Sequence, residues 1–227
     1  MDTPQLHLQT RRPRREWPIA AGLLLLALVP SIAGAFRIGE IASGAPETAA
    51  NARFMQMPLP VALHIAGALL YSTVGAFQFL PRLRRGHTGW HRFAGRYLLV
   101  PAGLVVAGTG LWMTAFYDTP AVDDRAVAVS RYVIGAAMLA CILLGVAAVR
   151  RHDYFAHGSW MIRAYALAMG AGTQVLTSGP PLLLFGEPTE LARLLQMDAG
   201  WIINALVAEL IIARRRAASR RPATMIA

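Results

Sequence analysis

Apolar residues fall into blocks of helix-spanning length along this chain, separated by short polar segments. The blocks cover 18–36, 58–80, 93–116, 127–149, 160–178 and 199–213, and charges are rare inside them. A bilayer's hydrocarbon core takes about 20 such residues per helix. The pattern predicts an all-α integral membrane bundle of six transmembrane helices over 18–213. A polar arm, 1–17, precedes it with RRPRR at 11–15, and a basic tail, 214–227, follows. Residues 37–57 are small and polar and read as a loop, as do the acidic YDTPAVDDRA segment and LLLFGEPTELARLLQMD, the latter with a short interfacial helix. Gly179-Pro180-Pro181 is expected to end the fifth span. The first block also fits a signal peptide, since a basic segment precedes it and Ala33-Gly34-Ala35 matches a cleavage site. Its apolar run exceeds the ~7–15 residues of such a segment, so an uncleaved first span is expected.

Composition agrees: 56% of the 227 residues are hydrophobic, and no polar stretch is long enough for a second domain. The formal charge of +10 suggests nucleic acid only until its placement is read. All 22 basic residues are arginine, and 17 of them border alternate ends of the spans, in groups of 4, 5, 3 and 5. The remaining segments hold five arginines and eight of the twelve acids. This alternation predicts that both termini are cytoplasmic, and no aromatic-interleaved basic module for nucleic acid is present. Cys141 is the single cysteine, within an apolar block, which excludes an intrachain disulfide.

Polar residues inside spans face a bundle interior or a cavity, because lipid cannot satisfy them. Sorted by depth they form two layers. His64, Arg131, Gln174 and Asn204 lie near the outer ends of four spans, with Trp112 and Met113 at the same level. Gln78, Arg96, Arg163 and Glu209 lie toward the cytoplasm. His64, Tyr71 and Gln78 recur every seven residues, which puts them on one stripe of the second helix. Glu209 is expected to pair with Arg96 or Arg163, since a lone charge at that depth is costly.

LRRGHTGWHRFAGRY (83–97) and VRRHDYFAHGSWMIRAY (149–165) both run Arg-Arg, His, His, Arg, Tyr at nearly equal spacing. Each links a helix reaching the cytoplasm to one leaving it, so spans two–three and four–five read as parallel copies. Cytoplasmic anchoring alone would also collect the arginines and aromatics. His91 and His157 occupy equivalent places, and two imidazoles at matched depth are the axial ligands of haem b, with the iron between them. Arg92, Arg96 and Arg163 are then candidates for the propionates.

YSTVGAFQFLP, HRFAGRY and WMIRAY together resemble a family of predicted bacterial multi-pass membrane proteins known only as a domain of unknown function. The resemblance covers roughly residues 60–180. It implies a bacterial inner-membrane protein and marks His64, Gln78, His91, Arg96, His157, Trp160 and Arg163 as matching the family pattern. It supplies no activity. A looser likeness, carried by histidines in helices, is to b-type diheme and ferric-reductase cytochromes. Three function classes follow: a haem- or quinone-linked redox protein, a small-solute or ion permease, and a scaffold or sensor whose polar layers only specify packing. The bilayer is the partner common to all three.

Overall fold

The computed structural model describes residues 16–120, 122–123 and 125–220, so the RRPRR arm and the end of the tail lie outside it. The described residues are mostly helical, with no strand among them. In order they form α1 (Trp17–Ser43), α2 (Ala52–Gln56), α3 (Pro58–Gln78), α4 (Pro81–Gly86), α5 (Thr88–Phe93), a π-helical stretch (Ala94–Leu99), α6 (Val100–Phe116), α7 (Arg125–Arg150), α8 (Tyr154–Ala168), α9 (Gly170–Phe185) and α10 (Glu190–Ser219). Among the described residues, five units are long and apolar enough to cross a membrane: α1, α3, the continuous Thr88–Phe116, α7 and α10.

The expected fifth span is divided. Its residues belong to α8 and α9, of 15 and 16 residues, which meet at Met169 where ψ is 0°. Several other boundaries move for local reasons. α1 continues to Ser43 because Arg37 and Glu40 pair one turn apart at 2.6 Å, and Gly44 then ends it in the left-handed region at φ 63°. The segment expected as a loop with a short interfacial helix before the sixth span is instead the end of α9 and, from Glu190, the start of α10. Thr189 caps it by accepting from the Ala192 N–H at 3.3 Å, and the helix runs 30 residues into the basic tail. α9 carries through Pro180 and Pro181 to Phe185, against the expectation that they end it. Membrane-type helices tolerate proline where neighbouring groups re-satisfy the backbone. The turn at 81–92 is itself helical, as α4 and most of α5. Pro101 offers no N–H to the Tyr97 carbonyl, and the ladder widens to the π pitch just before it.

The helices form a ring. α1 packs on α3, α3 on α6, α6 on α7 and α7 on α8. α10 lies along α8 and α9, and α9 closes the ring against α1. The centre is filled by Tyr71, Val106, Met138, Ile142, Tyr165 and Met169 with small alanines between them. Tyr165 lies against Tyr71 and Phe79 at centroid distances of 5.8 and 4.9 Å, and its hydroxyl donates to the Ser72 carbonyl at 2.8 Å. That position exists because residue 75 is glycine: a Cβ there would fall inside the Tyr165 ring. Gly172 does the same for the ring closure, where a Cβ would meet the Leu26 carbonyl of α1.

Candidate functional site

At the arginine-rich end, α7 stops at Arg150 and α8 starts at Tyr154. His152 makes the reversal at φ 62°, and Asp153 caps α8 by accepting from the Ala156 N–H at 2.9 Å. This tight turn puts His157 on the first coil of α8, facing back to α7. Its Nδ1 lies 2.9 Å from the Gly145 carbonyl. A carbonyl only accepts, so Nδ1 carries a proton, and in the neutral ring Nε2 holds the lone pair.

His91 lies on α5, at the same end of the molecule. Its Nδ1 is buried and has no hydrogen-bond partner. Gln78, at the last turn of α3, has its Oε1 buried and unpartnered in the same way. Orphaned buried polar atoms are rare in native proteins and are found where a ligand, water or ion completes the site. Arg92 and Arg96 are exposed on this end of the molecule.

Arg163 is engaged elsewhere. Its Nε and Nη2 grip the two Glu209 oxygens at 2.5 and 2.9 Å, and its guanidinium lies 4.7 Å from the Trp160 ring centre. The expected pairing of Glu209 with an arginine is therefore present. Arg163 supplies it, and Arg96 has no recorded part in it. Glu209 remains 53% exposed on the outer surface of α10.

Toward the other end, the polar residues tie helices to one another. His64 Nδ1 lies 3.1 Å from Thr109 Oγ1. The Thr109 hydroxyl donates to the Val105 carbonyl at 2.6 Å, so it accepts from His64. Asn204 donates to the Ala166 carbonyl at 3.0 Å and accepts from Thr173 at 2.8 Å, spanning the α8–α9 break. Gln174 donates to the Met197 carbonyl at 3.1 Å. Tyr71 is a core residue, buried between α6 and Tyr165.

Arg131 belongs to a knot that sequence reasoning missed. Asp123, with a side chain only 2% exposed, takes Arg131 on one oxygen at 2.5 Å and Arg193 on the other at 2.9 Å. Burial would raise the Asp123 pKa, but the hydrogen bond from Arg193 and the charge of Arg131 outweigh it and hold the group below its ordinary value. A signal was present: arginines on the side that the charge alternation leaves acidic need a specific reason to be there.

No curated protein and no solved structure matches this chain. A family match runs over residues 61–212, from the first coil of α3 to near the end of α10, and leaves α1 outside. With two thirds of its length covered, the chain belongs to the family described as "Predicted membrane protein (DUF2306)".

Proposed function

We propose that this protein is a multi-pass redox protein of the bacterial inner membrane that holds haem b at its arginine-rich end between His91 and His157. The observation that carries this reading is the state of the two imidazoles. One has its Nδ1 fixed on a carbonyl and its Nε2 free. The other, on α5 at the same end, has a buried nitrogen with no partner among the described residues. A ring nitrogen anchored on a carbonyl is how metal-ligating histidines are oriented. Arg92 and Arg96 are the cations available for propionates, while Arg163 is held by Glu209. Haem bound this way supplies one-electron transfer. A groove of about 520 Å³ at the same end, between Val100 and Leu104 of α6 and Leu143 and Val146 of α7 and lined also by Arg150 and Arg151, offers a quinone an approach from the bilayer.

The test is an oxidised-minus-reduced absorption spectrum of protein purified from haem-replete cells, repeated for His91→Ala and His157→Ala. A Soret band lost in both variants is the expected result. A colourless wild-type preparation overturns the redox reading. That outcome would leave a small-solute permease, favoured by the helix break at Met169, because discontinuous helices line transporter sites.

The same proposal takes α8 and α9 together as a sixth crossing, with both termini and the arginine-rich end in the cytoplasm. Cysteine labelling checks it. Residues 45–50, 118–120 and 186–189 are expected to react from the outside, and a cytoplasmic readout at 118–120 would reverse the orientation.

A further inference from the structure

The end of the bundle away from the histidines gathers arginines from four separate elements. Arg131 of α7 and Arg193 of α10 share the Asp123 carboxylate. Arg53 of α2 lies within their field. Arg37, near the end of α1, and Arg53 both rest on the Phe54 ring, at 4.4 and 4.7 Å from its centre. Among the described residues, the acids that answer these four cations are Asp123, wholly used by two of them, Glu40 beside Arg37, and the exposed Asp118. Arg53 bonds to Asp118 only through its backbone carbonyl, at 3.0 Å.

The donors are also under-used. Arg53 Nε is buried without a hydrogen-bond partner. Arg37 Nη1 is held by Glu40 at 2.6 Å, so the open donor of the pair is Arg53 Nε. Like charges drawn together in a half-buried place repel, and desolvated donors are costly, unless an anion completes them. Arg53 shows that strain: burial, Arg131 and Arg37 together lower its pKa despite Asp123 and Asp118. The site lies where α1 ends and α3 begins, the level of lipid headgroups. Phosphate is the anion at that depth, and planar guanidiniums grip it through paired N–H groups.

We infer that Arg37 and Arg53, backed by Arg131 and carried on Phe54, form a binding site for a phosphate group, either free or on a lipid headgroup. Nothing in this depends on the haem reading, which concerns the opposite end of the bundle.

The full-length protein, in dodecyl maltoside micelles that carry no phosphate, is titrated with inorganic phosphate at constant ionic strength, with chloride as the control, and its Tm is followed. A parallel set adds phosphatidylglycerol to the micelles. A ligand that binds the folded state raises Tm. A rise with phosphate but not chloride assigns a free anion, and a rise only with phosphatidylglycerol assigns a lipid. In either case Arg53→Gln and Arg37→Gln weaken the response about ten- to a hundredfold, the worth of a charge-assisted hydrogen bond. The Asp123 knot is untouched by these changes. If Arg53→Gln does not fold, Arg53→Lys serves instead, keeping the charge but losing the fork, and is also expected to weaken binding. No Tm response to phosphate or phosphatidylglycerol, an equal response to chloride, or an unchanged response in both variants overturns the site.

Discussion

His64, Arg131, Gln174 and Asn204 come from four helices, and each meets a protein partner: Thr109, Asp123, the Met197 carbonyl, and Thr173 with the Ala166 carbonyl. Gln78 and His91, at the other end, each bury a polar atom that meets no partner among the described residues. Both sets are polar residues in apolar spans, and both look equally functional from their residue types. The difference teaches that intramembrane polarity has two uses. Where donors and acceptors close on one another, they order the helices. Where they stay open, the protein holds a capacity to bind that its own side chains do not use.

The largest expected effect tests a group whose partners are closed. Asp123→Asn leaves Arg131 and Arg193 facing each other with no carboxylate between them, and breaking a buried pair of this kind costs about 3–5 kcal/mol. Thermal unfolding in detergent reads it. The pH dependence has a definite sign. Asp123 titrates below its ordinary 3.8, so its contribution is fully present above that value and is lost as pH falls through the lower folded-state pKa. Wild type therefore loses this contribution only in strong acid, whereas Asp123→Asn lacks it at every pH. Equal stability of the two proteins at pH 7 would show that the knot orders nothing.

A pair of smaller substitutions contrasts the two ends directly. Asn204→Leu strands the Thr173 hydroxyl and the Ala166 carbonyl, and is expected to destabilise by about 1–3 kcal/mol. Gln78→Leu removes a buried acceptor that has no partner, so it is expected to leave stability unchanged or slightly raised in the ligand-free protein. Similar losses for both would erase the distinction, because Gln78 would then be a structural residue like the others.

Much of this architecture was legible in the chain. Apolar length and the placement of arginines are local properties, and they announce a helical membrane protein with two unlike ends. The Arg163–Glu209 pair followed from the cost of a lone charge at that depth. The histidines before the third and fifth spans were equally visible, because the two turns repeat their spacing. Exact helix ends were not. Thr189 as a cap, Gly44 as a stop and the widened turn before Pro101 depend on which backbone groups find partners, and hydropathy does not report that.

Lateral order was decided only by the tertiary structure. Lipid tails are as apolar as leucine, so a run of hydrophobic residues does not say which helix it packs against. Arg163 rather than Arg96 meets Glu209 because α10 lies along α8. Arg37, Arg53, Arg131 and Arg193 are spread over more than 150 positions of sequence, and they meet because α9 closes the ring on α1 and brings α10 with it. The sequence by itself determined what each helix must hide from lipid. Only the packing of the ring, set by small residues such as Gly75 and Gly172, decided which of those groups satisfy one another and which remain open to a ligand.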